Sequence, residues 1–342
     1  MVETARVYNN FDNEIKCEYP YYPGDDLGVS YVSGKTRFKI WAPLAKNVSV
    51  SIYADDDKNA KVNEFNLTSG RSGTWQKIIE RDLTGNYYLF TIDYEKYSCE
   101  TLDPQARAVG TNSELGLIVD LKKANPSNWA DDHWVEMDSP TDAVIYEVHV
   151  RDFSVSPDSG MKNKGKYLAF TEEETVNSEG LKTGIDHLKE LGVTHVHLLP
   201  VFDFATVDDS DEDDYNWGYD PFYYNVPEGS YATDPSDESR IVEFKKLVKS
   251  LHDNGIGVIM DVVYNHTYHT EDSAFEKTAP GYFYRLHTED QLANGSGVGN
   301  EIATEKPMVR KFIVDSVKYW AEEYHIDGFR FDLMGLIDQK TM

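Results

Sequence analysis

Four apolar-rich runs, at 143–150, 193–201, 256–263 and 326–333, constrain the fold of this chain more than any other feature. Continuous runs of this length suit strands of a parallel sheet buried on both faces. Amphipathic segments lie between them. Leu181, Ile185, Leu188 and Leu191 share one helical face before Gly192. Asp234 reads as a cap with Pro235 at the first helical position, ahead of a stripe of Ile241, Phe244, Leu247, Val248 and Leu251 that Asn254-Gly255 stops. Pro307 opens a third helix, with Val309, Phe312, Ile313, Val317, Trp320 and Tyr324 facing inward. Repeated β-loop-α units predict an open doubly wound sheet or a (β/α)8 barrel. A closed barrel takes roughly 250 residues or more. The four strands end by residue 333 of 342, so a barrel reading gives its first half.

Upstream the rhythm is different. Arg37-Phe38-Lys39-Ile40-Trp41 and Val48-Ser49-Val50-Ser51-Ile52-Tyr53 alternate polar and apolar residues, and Asn86-Tyr87-Tyr88-Leu89-Phe90-Thr91-Ile92 closes the series. Turn pairs such as Ser33-Gly34, Ser69-Gly70 and Ser72-Gly73 separate the runs, which predicts a small β-sandwich. The expected organisation is a sandwich over 1–105, a connector over 106–140 and the first four β/α units of a truncated barrel over 141–342.

The bulk chemistry narrows the partners. Lys plus Arg number 33 against 60 for Asp plus Glu, a formal net charge of −27. Nucleic acid and anionic membranes need cationic surface, so neither is an expected partner, whereas a neutral ligand such as a sugar is unaffected. Cys17 and Cys99 are too few for a disulfide framework and read as reduced thiols. No signal-peptide pattern opens the chain and no run of 18 apolar residues follows, which gives a cytoplasmic expectation, or a secreted one for a chain trimmed of its leader.

In parallel α/β folds the chemistry gathers where strands end and loops begin. Three polar clusters fall there: Asp261-Val262-Val263-Tyr264-Asn265-His266, Tyr215-Asn216-Trp217-Gly218-Tyr219-Asp220-Pro221, and Asp327-Gly328-Phe329-Arg330-Phe331-Asp332. Arg330 and Asp332 are two apart on a strand and share a face. A cation beside a carboxyl keeps it ionised and oriented, as a nucleophile requires. One such pair alone reads as structural; three polar clusters at successive strand ends read as a site, because a core strand carries polar groups only with partners or work for them.

These residues resemble a known family. DVVYNH at 261–266 and GFRFDLMG at 328–335 are similar to the first two signature regions of the α-amylase superfamily of glycoside hydrolases, family 13. YNWGYDP at 215–221 resembles the motif that marks type I pullulanases within it. FKIWA at 38–42 looks like the start of a family 48 carbohydrate-binding module. The likeness runs from about residue 22 to 335 and implies a multidomain α and β protein, a sandwich followed by the first half of a (β/α)8 barrel. It implies retaining hydrolysis of α-1,6 branch links in pullulan, glycogen or amylopectin limit dextrins, with an α-glucan polysaccharide or oligosaccharide as partner. Asp332 would be the nucleophile and Arg330 its orienting cation. His266 would donate a hydrogen bond to the cleaved glucose, Tyr219 would stack beneath it, Trp217 would shape the loop, and Asp261 would support Arg330. No cofactor is required; Asn265 corresponds to a calcium-holding position in many amylases.

Other polar groups have bland readings. The acidic run Asp208, Asp209, Asp211, Glu212, Asp213 and Asp214 lacks the glycine and ligand periodicity of a calcium loop and reads as solvated. His149, His195 and His197 read as hydrogen-bonded core residues, and Trp41 as a buried packing residue. A retaining glycosidase needs a second carboxyl about 5–5.5 Å from the nucleophile, which the family carries on its fifth strand. The chain ends before that strand. The expectation is that it is inactive alone and needs the missing half of the barrel or a complementing chain. The alternatives are another enzyme of the superfamily (isoamylase, branching enzyme or α-amylase) or a non-catalytic glucan-binding fragment.

Overall fold

The computed structural model describes residues 2–8, 14–288 and 291–342, with side chains from Tyr19 onward within those ranges. Val2–Tyr8 and Glu14–Pro20 form an antiparallel hairpin. The alternating runs then build two facing sheets. Gly28–Val32, Lys35–Trp41, Thr74–Ile79 and Thr68–Ser69 make one; Ser98–Thr101, Tyr87–Asp93, Asn47–Tyr53 and Lys61–Asn66 make the other. Their inward residues, among them Phe38, Ile40, Val48, Val50, Phe90 and Ile92, are fully buried, which is what period-two alternation provides for. Ser33 and Gly34, both at positive φ, close the hairpin between Gly28–Val32 and Lys35–Trp41. Within the segment read as connector, Gly116–Leu117 pairs with Tyr87 and Tyr88 and so extends the second sheet.

The four apolar runs become a parallel sheet of Ile145–Val148, His195–Leu198, Gly257–Val262 and Gly328–Phe331, neighbours in chain order. That order decides between the two architectures left open by the sequence. A doubly wound sheet reverses its strand order at a switch point, whereas each unit here adds beside its predecessor, the winding of a barrel. Burial on both faces holds for the second and third strands. The outer two depart from it: Ile145 and Tyr146 are exposed on the first strand and Arg330 on the fourth, because each has a neighbour on one side only.

The helices begin later than their apolar stripes suggest. Gly184–Leu191 buries Ile185 and Leu188, but Leu181 precedes it and is exposed, as is Leu191. Asn177 Oδ1 accepts from the Leu181 amide and Val176 bridges Lys182, which holds that stretch as a turn. The second helix is Ser239–Asp253, not one starting at Pro235. Asp234 accepts from both the amide and hydroxyl of Ser236, and Asp237 accepts from the Ser239 amide, so the carboxylates stabilise turns in place of a helical cap. Its stop is as read: Asn254 caps it and Gly255 sits at φ +72. Pro307–Glu323 opens on its proline and buries Val309, Phe312, Ile313 and Trp320.

The sandwich and the β/α units share one continuous core. Trp41 is buried there, edge-on to Tyr282 at 5.1 Å, and its indole N–H donates to the Ser72 carbonyl at 3.0 Å. Tyr94 donates to the Lys277 carbonyl at 2.7 Å and Tyr87 to that of Ser236 at 2.6 Å. Cys99 is a half-buried free thiol, and the Cys17 side chain lies outside the described residues. No helix among the described residues is long and apolar enough to cross a membrane.

Candidate active site

Parallel register gives the sheet two chemically different faces. Val196, Leu198, Val258, Met260 and Val262 lie on one and are fully buried. Glu147, His197, Asp261, Arg330 and Asp332 lie on the other, because residues paired in register, or two apart, share a face. The polar clusters of three separate strand ends therefore meet at one place.

Asp332, the nucleophile candidate, stands just past the end of the fourth strand. Its Oδ1 accepts from Arg330 Nη1 at 3.0 Å and its Oδ2 from Asn265 Nδ2 at 3.0 Å, while its amide donates to the Val262 carbonyl at 2.9 Å. The same Asn265 amide donates to the Asp332 carbonyl. Leu333, the next residue, adopts the left-handed region at φ 42 and ψ 44. A leucine there is strained by about 1–3 kcal/mol, and such strain concentrates at functional sites where it aims a neighbour.

Arg330 Nη1 also donates to both carboxyl oxygens of Asp261, at 3.0 and 3.1 Å. Asp261 is fully buried and accepts in addition from the Tyr219 hydroxyl at 2.8 Å. Burial pushes the Tyr219 hydroxyl above its ordinary pKa, and the bonded carboxylate adds to that, so it stays a donor. Tyr219 reaches Asp261 because Gly218 turns the chain at φ +89, where a Cβ would stand 2.7 Å from the Pro200 carbonyl. Asn216 ties the loop down, accepting from the Gly218 amide at 2.7 Å and donating to Asp220 at 2.7 Å. Trp217 stands exposed at the rim, its indole N–H donating to the Tyr215 hydroxyl at 3.0 Å.

His266 is buried, with Nδ1 2.6 Å from Asn265 Oδ1 and Nε2 3.0 Å from the Tyr219 carbonyl. Burial holds its imidazole below the ordinary histidine value, against the opposing bond to Tyr219. Each ring nitrogen faces a protein oxygen, so the histidine ties the Tyr219 backbone to Asn265.

The structure brings Asp332, Arg330, Asp261, Tyr219, His266 and Asn265 together and leaves Trp217 at the margin. Sequence reasoning missed the bond from Asn265 to the nucleophile candidate. Calcium takes six to eight converging oxygens. Asn265 Oδ1 is turned to His266 and its amide to Asp332, a donor set that does not fit that ion. Among the described residues no three His, Cys, Asp or Glu side chains converge as metal ligands. The acidic loop departs from its reading at one position. Asp209 is buried, accepting from the Asn112 amide at 2.8 Å and from Arg240 at 3.2 Å, while Asp208, Asp211, Glu212, Asp213 and Asp214 are exposed.

Known proteins share both halves of this architecture. The family described as carbohydrate-binding module 48 (isoamylase N-terminal domain) matches residues 26–106, and the alpha amylase catalytic domain matches 166–291. The pullulanase of Bacillus subtilis is 46% identical over 334 residues, covering 97% of this chain and 45% of the relative. The chain belongs to the pullulanase-type enzymes of glycoside hydrolase family 13. Pullulanase 1 of Arabidopsis thaliana chloroplasts is 34% identical over 92% of the chain and 37% of its own length. The Paenibacillus barengoltzii pullulanase, solved with maltohexaose and α-cyclodextrin, superposes with a TM-score of 0.92 at 47% identity, covering 94% of this chain and 50% of that one. The Bacillus acidopullulyticus pullulanase gives 0.93 at 46% identity, over 98% and 42%. The chain thus spans about half the length of the pullulanases it matches.

Proposed function

We propose that this chain supplies the nucleophile side of an active site that hydrolyses α-1,6-glucosidic branch links with retention, acting on pullulan, glycogen or limit dextrins. The observation that carries the proposal is Asp332, a carboxylate at a barrel-strand end held on one oxygen by Arg330 and on the other by Asn265. In the first step an Asp332 oxygen attacks the anomeric carbon, the glycosidic C–O bond breaks, and the departing oxygen takes a proton from an acid. In the second, water attacks the glucosyl-enzyme ester, gives its proton to the conjugate base and frees Asp332. Arg330 holds the carboxylate aimed for attack through its bond to Oδ1.

The acid must be a second carboxyl. Asp261, the one that shares Arg330 with Asp332, is unsuited: it is fully buried and its oxygens already accept from Arg330 and Tyr219. So enclosed, Asp261 has no open path to a leaving group. We therefore place the acid outside the chain, consistent with its spanning half the length of its pullulanase relatives. General acid–base assistance is worth about 10²–10⁴-fold, so the isolated chain should release no reducing ends from pullulan. Product analysis with the complete enzyme tests the bond preference. Maltotriose from pullulan is expected; panose or isopanose would show a different linkage being cut.

A further inference from the structure

The polar face of the parallel sheet carries a line of groups that crosses all four strands. Glu147 stands on the first, His197 on the second, Asp261 on the third and Arg330 on the fourth, with Asp332 just past its end. Register sets Glu147 opposite His197 and Asp261 opposite Arg330. His197 Nδ1 lies 3.3 Å from Glu147 Oε2, and Nε2 lies 3.3 Å from Asp261 Oδ2. His197 is only 7% exposed, and its Nε2 has no aligned hydrogen-bond partner among the described residues although Asp261 is so close. A buried ring nitrogen in that state is costly unless it has a use.

The use lies two groups away. One nitrogen, Arg330 Nη1, serves both carboxylates: it is 3.0 and 3.1 Å from the Asp261 oxygens and 3.0 Å from Asp332 Oδ1. Asp261 and Asp332 therefore draw on the two N–H groups of one nitrogen, so the charge on either bears on how that nitrogen holds the other. A proton aimed at Asp261 Oδ2 from the opposite side offsets part of that carboxylate's charge and leaves Arg330 freer to hold Asp332. The Tyr219 hydroxyl does this from the loop, and His197 is placed to do it from the second strand. Glu147, whose carboxylate is exposed, sits where it sets the orientation of the imidazole.

We propose that His197 is a positioning residue for Asp332, acting through Asp261 and Arg330 and itself oriented by Glu147. This rests on the reading of Asp332 as nucleophile. The groups facing His197 are Glu147 from the first strand and Asp261 from the third, with Tyr219 and Arg330 reached through Asp261.

The test measures kcat, KM and the pH profile for pullulan hydrolysis by the complete enzyme, with melting temperature as the fold control. The variants are His197→Leu, His197→Gln and Glu147→Gln. His197→Leu should lower kcat by roughly tenfold to a hundredfold, leave KM within about twofold if substrate binding is untouched, and move the acid limb of kcat/KM to higher pH. His197→Gln, which keeps a donor, should restore part of kcat; Glu147→Gln should fall between it and wild type. Should His197→Leu fail to fold, His197→Gln and Glu147→Gln still read the effect. Folded variants with wild-type kcat and pH profile overturn the inference. A wild-type enzyme inactive on pullulan overturns the functional reading beneath it, a separate and recognisable failure.

Discussion

Two arginines hold pairs of carboxylates in this molecule, and they do so in opposite ways. Arg240 has no exposed side-chain surface. Its guanidinium donates to the carbonyls of Gly110, Pro227 and Pro235 and to Asp209, with Asp203 at 3.6 Å. Those partners come from the connector, the loop after the second parallel strand and the approach to the Ser239–Asp253 helix, so one side chain pins three segments to its own helix. Burial pushes the Asp203 carboxyl up to about 7, with Asp209 adding and Arg240 opposing, and raises Glu228 as well. Arg330 is 46% exposed and reaches both Asp261 and Asp332 through Nη1 alone. The buried arginine directs both of its terminal amino groups to partners that hold the fold. The exposed one shares a single nitrogen between a buried carboxylate and a more accessible one, an arrangement suited to tuning chemistry.

That contrast can be broken at several points. The largest expected effect is at the accessible carboxylate: Asp332→Asn in the complete enzyme should lower kcat by roughly 10⁴-fold or more, with stability changed by no more than about 1 kcal/mol. Hydrolysis retained near wild-type level would remove Asp332 from the chemistry. Next, Arg240→Met should lower the unfolding free energy of the chain by about 3–5 kcal/mol in urea titrations, because it leaves Asp209 buried without its cation. A loss no greater than that of an average surface change would contradict its structural role.

A third ion network extends the comparison to pH. His252 lies 3.1 Å from Asp132 and 2.8 Å from Asp327, bridging connector and fourth strand. Burial pulls its pKa down, but the bonds to Asp132 and Asp327 more than offset this and carry it up to about 9. A folded value above the unfolded one gives stability that is full below about pH 6.5 and lost as pH rises through about 9. Asp203 acts in the same direction in a lower window, its raised value removing stability between about pH 4 and 7, so the fall above pH 7 belongs to His252. Thermal midpoints should therefore fall steadily from pH 6.5 to 9.5, and His252→Gln should flatten that slope; a flat wild-type profile would refute the network's role. The smallest effect belongs to Trp217, 62% exposed at the rim, where Trp217→Ala should shift stability by no more than about 0.5 kcal/mol. A larger loss in calorimetry would mean that the indole holds the loop.

What the sequence disclosed follows from which interactions are local. Apolar runs mark buried strands directly, so all four parallel strands fall inside their predicted ranges, and Asn254-Gly255 and Pro307 mark helix ends because their backbone preferences act on the spot. Helix starts were less legible. Asp234 and Pro235 carry a cap signature, yet Asp234 satisfies its carboxylate through Ser236 in a turn, a choice between two local bonds that spacing alone does not settle. The resemblance named Asp332, Arg330, Asp261, Tyr219 and His266, and their convergence follows from strand ends. The contacts of Asn265 with Asp332 and of His197 with Asp261 escaped, because those partners lie 67 and 64 positions away in the chain and are met only through register. Asp209 escaped for the same reason: nothing within an acidic run says which member turns inward to an arginine at 240.

The most direct test of the account is to trap the intermediate. The complete enzyme, incubated with a 5-fluoro-α-glycosyl fluoride and digested, should carry the sugar on the peptide containing Asp332, located by tandem mass spectrometry. The same reagent should leave the Asp332→Asn enzyme unlabelled. A label on Asp261 or on any other carboxylate, with Asp332 unmodified, would contradict the assignment of Asp332 as nucleophile.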